Sequence, residues 1–275
     1  QYANFSNNLI TGNVTTADNA GYAGGYYTYF RNNTINGNCS ITNNGFNILL
    51  DADAAGTGNR YNGNLSYTKN GAPIISGAGA FNEVSSNLTL NAANGISLGK
   101  IKFVGNTPAV IEQVSTQPVQ IAEMIIDKTA SAALTLNDSI SVTTSLDFIN
   151  GYINSSSDHQ LIVADNAVCS GYSDASFVNG PVKKIGNDAF IFPVGKSGKI
   201  AIAGMSAPAN TTDAFSAEYF LSPAHNNGYD STQKDPGIHQ ISATEYWMLT
   251  RNGGSSSVSV SLSWNSTRSG VVNNL

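Results

Sequence analysis

Apolar positions along this chain recur two apart in short runs, and no stretch carries the three-and-four spacing of an amphipathic helix. Leu88 and Leu90, Leu134 and Leu136, Ile140 and Val142, and Leu146 and Phe148 are each separated or flanked by Thr, Ser, Asn or Asp. A period of two sends successive side chains to opposite faces of a strand, so these runs predict half-buried strands with hydroxyl-bearing residues pointing outward. The runs are only three to five residues long and are separated by polar turns rich in Asn and Gly, which tolerate sharp backbone reversals. The expectation is an all-β chain with little helix.

The turns repeat with the strands. An aromatic residue, a polar Gly-Asn turn, an alternating strand and Asn-rich punctuation recur from Phe5 to Asn19, Phe30 to Gly45, Tyr61 to Gly71 and Phe81 to Gly95. A weaker copy begins at Phe103. The aromatic markers at 5, 30, 61, 81 and 103 follow no fixed period. A constant unit with variable insertions predicts a β-solenoid, in which each coil gives short strands to a shared core while loop length varies at an edge. Asn side chains are then expected to stack from coil to coil and satisfy one another by hydrogen bonds. A sandwich of hairpins joined by Asn-Gly turns is the alternative. Between Val110 and Val168 the runs follow one another with turns of two to four residues, too tight for a hairpin meander and suited to the consecutive faces of a parallel β-helix. The expected organisation is a β-helix-like repeat region over 1–199, looser over 1–110 and tighter over 110–199. A β-sandwich-like unit or cap follows over 200–275, with Trp247 and Trp264 as its core anchors.

Composition narrows the partners. Hydrophobic residues make up 41% of the 275 and charged residues only 11%, against about 25% in an ordinary soluble domain. Solubility therefore falls to Asn, Ser, Thr and Gly. The net charge of −5 and the scattering of 13 Lys and Arg, with Lys183-Lys184 as the only basic doublet, speak against nucleic acid, which selects a concentrated basic stripe. No apolar run approaches the roughly 20 residues of a membrane span, and no basic-then-apolar signal segment opens the chain. The chain opens inside a repeat-like motif and stops just after a strand pattern, so it is expected to be a segment of something longer, with further domains of the same polypeptide as neighbours. Cys39 and Cys169 sit in strand-like contexts far apart and are expected to be free thiols rather than a disulfide.

Phe177-Val178-Asn179-Gly180-Pro181-Val182-Lys183-Lys184, followed by Phe190-Ile191-Phe192-Pro193-Val194-Gly195-Lys196, resembles a recurrent module of large Bacteroidota surface proteins. The segments Phe215 to Phe220, Ile241 to Leu249 and Val258 to Trp264 follow in the order seen in that class, and the Phe-x-Asn-Asn-x-Ile-x-Gly-Asn copies are similar to its repeats. The resemblance implies type IX secretion and an extracellular or outer-surface location. It also implies kinship with gliding-associated adhesins, with surface glycans or other cell-surface or secretion components as partners.

The chemistry-bearing residues are sparse. A polysaccharide lyase or hydrolase on a β-helix needs convergent carboxylates or a calcium-binding acidic cluster. Asp51 and Asp53, before a Gly-rich stretch, are the only close acidic pair and the one weak metal candidate; solvated loop acids are the plainer reading. His159, His225 and His239 fall in polar loops with no zinc spacing. No catalytic residue and no cofactor is assigned. Tyr22, Tyr26, Tyr27 and Tyr29, on a Gly-hinged segment, are candidates for stacking on sugar rings, with packing against neighbouring coils as the alternative. Ser139 and Ser231 sit in Asp-Ser-Ile and Asp-Ser-Thr triplets that match the O-glycan acceptor pattern of exported Bacteroidota proteins. The expected function is a non-catalytic structural or adhesive segment. A glycan-binding module is the alternative, and a β-helical polysaccharide-degrading enzyme comes after it.

Overall fold

The computed structural model describes residues 3–18, 28–44, 48–49, 58–70, 74–75, 80–92, 96–114, 119–129, 132–230, 232–238 and 241–269. The chain is nearly all β, 54% strand against 4% helix, and its larger part is a parallel β-solenoid of about six turns. Each early coil lays one strand on each of three faces. On the first face Ala3–Ser6, Thr28–Arg31, Ile48–Leu49 and Ile74–Ile75 stack in parallel. On the second, Leu9–Ile10, Thr34–Ile35, Arg60–Tyr61 and Asn82–Val84 do so. The third face is an eight-stranded sheet running from Val14–Asp18 to Val178–Asn179.

The core is a set of columns along the stack. Pairing places Ile10, Ile35, Tyr61, Val84, Phe103, Ile126 and Phe148 one above the next on the second face. Val14, Cys39, Leu65, Leu88, Ile111 and Leu136 line up on the third. The inward alternation read at Leu88 and Leu90 is present: Leu88, Leu90 and Ala92 are buried while Thr89 and Asn91 are not. The aromatic markers are irregular because they belong to different places. Phe5 and Phe30 pair on the first face, Tyr61 and Phe103 lie in the second-face column, and Phe81 sits at the corner just before Asn82–Val84.

Asparagine holds the first corner together. Asn8 Nδ2 donates to Asn33 Oδ1 at 2.9 Å, Asn33 to Asn59 at 3.0 Å and Asn59 to Asn82 at 2.9 Å. The backbone N–H of Asn8, Asn33 and Asn59 each donates to the same Oδ1 as its side chain. Asn33, Asn59 and Asn82 are buried, so this ladder satisfies polar groups that water cannot reach. A second, largely exposed ladder runs along the Gly-Asn turns and the matching Ser86-Asn87 turn, where Asn13, Asn38, Asn64 and Asn87 each accept from a backbone N–H one coil on. The glycines of those turns serve close approach. A Cβ at Gly37 would lie 2.5 Å from the Gly12 carbonyl, and one at Gly63 would overlap the Gly37 carbonyl.

From the fifth coil the first corner disappears. The longer strands Ser97–Gly105, Val119–Lys128 and Ile140–Asn150 run across it, with register irregularities between Ile121 and Glu123 and between Ile126 and Asp127. The ammonium of Lys128 is buried at the far end of this face and donates to the carbonyls of Val104 at 2.9 Å and Ser85 at 3.3 Å. Burial pushes its pKa below the ordinary lysine value.

The parallel ladder of the second face ends at Val182–Ile185, which Ala214–Phe220 covers in antiparallel fashion, and Tyr246–Gly253 extends the sheet. Phe190–Phe192, Ala203–Met205 and Val260–Leu262 form a separate antiparallel sheet. Three side chains lock this end. Tyr219 Oη donates to Glu245 Oε2 at 2.6 Å, and Arg268 Nε lies 2.9 Å from the same oxygen, off the hydrogen-bond direction, so that contact is an ion pair. The Arg268 guanidinium also donates to the carbonyls of Ile200 and Ser263 and sits against the rings of Tyr219 and Trp247. Trp247 is packed against the core and donates its indole N–H to the Ala201 carbonyl at 2.7 Å. Trp264 is not a core anchor: it is 57% exposed, because it follows Val260–Leu262, which among the described residues is an edge strand paired with Ala203–Met205.

Candidate functional site

A row of paired charges lies on the outer side of the second face. Pairing aligns Thr34, Arg60, Glu83 and Lys102 in one outward row. At the corner beside it, Phe81, Lys100, Glu123 and Ser145 follow one another from coil to coil, by extension of the same pairing at Phe81. Opposite charges meet between coils: Arg60 with Glu83 at 3.4 Å, Lys100 with Glu123 at 3.1 Å and Lys102 with Asp127 at 2.7 Å. Asp147, further along, accepts from Ser145 and Ser170. Glu83, Glu123, Asp127 and Asp147 are thus each engaged by a cation or a hydroxyl.

One position in the corner row has no side chain. Gly58 follows Asn32 and precedes Phe81 in the coil stack, and a Cβ there would overlap the Phe81 carbonyl, so the backbone packs too closely for any other residue. A groove of about 550 Å³ lies here, with Gly58 among its lining residues. Asn32 and Phe81 form its ends, and Thr34, Arg60 and Glu83 form its side. Asn32 adopts φ +53°, the left-handed conformation that turns the chain at this corner. On its far side Phe81 is covered by Lys100, whose Nζ lies 5.5 Å from the ring centroid and is not part of the groove wall. Phe81 itself lines the groove.

Only part of the candidate set read from sequence lies within the described residues. Asp51, Asp53, Tyr22, Tyr26, Tyr27, Ser231 and His239 lie outside them. Tyr29 belongs to the strand Thr28–Arg31 of the first face, with the Arg31 guanidinium 4.8 Å from its ring centroid. Ser139 lies within the stack, accepting from the Gln160 N–H at 2.9 Å and donating to the Asp158 carbonyl at 3.5 Å, so its hydroxyl links two coils. Among the described residues no group of three or more His, Cys, Asp or Glu side chains could hold a metal ion, and no helix is long and apolar enough to cross a membrane. Cys39 and Cys169 are free thiols, both pushed up to about 12 by burial, which keeps them protonated and unreactive. The groove residues Asn32, Gly58 and Phe81 are separated by more than 20 positions in the chain, and no local motif marks them.

No protein-family model, no curated protein and no solved structure matches this chain.

Proposed function

We propose that this chain is a non-catalytic structural and adhesive segment of a large secreted or cell-surface protein. The observation that carries the reading is the way adjacent coils are tied. Buried Asn side chains, backbone ladders and inter-coil ion pairs connect each turn to the next, which suits a stiff rod that transmits load and presents a long hydrogen-bonding surface. The pairing of Glu83, Glu123 and Asp127 with cations supports an absence of acid–base chemistry on that surface, because a general acid or base must be free to exchange its proton with substrate. An outer-surface location and type IX export rest on the likeness of the Phe177 to Lys196 segment to the Bacteroidota surface module.

The test is retention under flow combined with product analysis. Particles coated with the chain are expected to resist detachment from a bare glass or polymer surface, compared with particles coated with an inert protein. No reducing or unsaturated ends are expected to appear in a panel of soluble polysaccharides incubated with the chain. Detachment at the rate of the inert control, or release of product from any polysaccharide, would overturn the proposal.

A further inference from the structure

We infer that the groove over Gly58 is a subsite for a neutral pyranose unit of a polysaccharide. This inference deepens the adhesive reading and rests on it. Phe81 and Asn32 stand two coils apart, a separation of roughly 9–10 Å from the strand spacing. A flat ring in contact on both sides needs about 7–8 Å. Gly58 between them puts no side chain into that slot, so among the described residues the gap matches one ring lying across the stack. One wall is Phe81, an aromatic residue on whose ring the C–H side of a sugar can stack.

The rest of the lining matches hydroxyl groups. Arg60 offers donors and Glu83 acceptors, while the Thr34 hydroxyl offers both. A sugar hydroxyl is itself donor and acceptor, and adjacent hydroxyls suit the paired Arg60 and Glu83, 3.4 Å apart. That pair leaves the lining without net charge, which gives a uronic acid no cation of its own and favours an uncharged ring. The groove lies at the corner beside the second face, so a polymer linked in the plane of the bound ring would cross the stack there. The volume, about 550 Å³, falls within the range of small-ligand sites.

Affinity electrophoresis of the full chain through gels containing mannan, xylan, β-glucan or alginate tests the inference. Wild-type protein is expected to be slowed by at least one of the three neutral polymers and not by alginate. Phe81→Ala is expected to weaken that interaction about tenfold, the effect of losing one stacking ring, while Phe81→Trp preserves it. Thr34→Trp, which fills the groove from an outward-facing position, is expected to abolish it with an unchanged melting curve, so a folding defect in Phe81→Ala leaves the test intact. Migration unaffected by every neutral polymer, slowing by alginate alone, or wild-type behaviour of Thr34→Trp would overturn the subsite. Particles that hold to glass while the gels show no slowing would refute the groove and leave the adhesive reading standing; particles that fail to hold would refute the reading itself.

Discussion

At the scale of single residues, the stack depends on amides that have no water to fall back on. Asn59 is the centre of the buried ladder: its Nδ2 donates to the Phe30 carbonyl and to Asn82, and its Oδ1 accepts from both the N–H and the side chain of Asn33. Truncation at this position orphans a buried N–H and a buried carbonyl together, at about 1–3 kcal/mol for each unmet group. Asn62 makes a similar side-chain bond to Asn36 at 2.7 Å, but in solvent, where water replaces the partner. Asn59→Ala is therefore expected to lower unfolding free energy by about 2–4 kcal/mol and Asn62→Ala by less than about 1 kcal/mol. Chemical denaturation of the two variants checks this. Equal losses would show that burial does not set the strength of the ladder.

At the scale of the turn and the strand, the glycines of the Gly-Asn turns differ in what surrounds them although their sequences are alike. Gly12 has open space where a Cβ would go, whereas Gly63 faces the Gly37 carbonyl of the coil beneath. Gly63→Ala must push two coils apart and is expected to cost about 1–3 kcal/mol, as overpacking does, while Gly12→Ala is expected to be neutral or slightly stabilising. Thermal melting of the pair reads the difference directly, and a neutral Gly63→Ala would mean that the coils are not held at this spacing. The same contrast shows how far sequence reasoning reaches. The inward alternation at Leu88 and Leu90, the stacking of Asn and the all-β class are local properties and were legible. The coil period was not, because the aromatic markers mix first-face, second-face and corner positions. The true steps of 25, 26 and 23 residues are set by Asn8, Asn33, Asn59 and Asn82. Nor could the groove be read, since Gly58 joins its lining only when register places it between Asn32 and Phe81. The exposed Trp264 followed from topology in the same way: an alternating pattern buries a residue only where another layer covers the strand.

At the scale of the whole molecule, the two ends of the stack are built differently. Among the described residues the first coil packs against the second, with Leu9 72% exposed and Phe5, Ile10 and Val14 only partly buried. The other end of the second face is closed by Ala214–Phe220 and by the buried Tyr219, Glu245 and Arg268 cluster. In a repeat architecture each coil touches only its neighbours, so stability is a sum of local terms and opening begins where a neighbour is missing. Amide exchange is thus expected to be fastest across 3–18, slow through 88–163, and slow again in 182–185 and 214–220. Glu245→Gln leaves the buried Arg268 without its counter-charge, a loss of about 3–5 kcal/mol for such pairs. It should speed exchange in 182–185 and 214–220 while leaving 39–43 and 65–69 as in the wild type. If exchange instead accelerates uniformly along the chain, the coils unfold as one cooperative body. The load-bearing reading would then rest on that global cooperativity rather than on successive coil-to-coil ties.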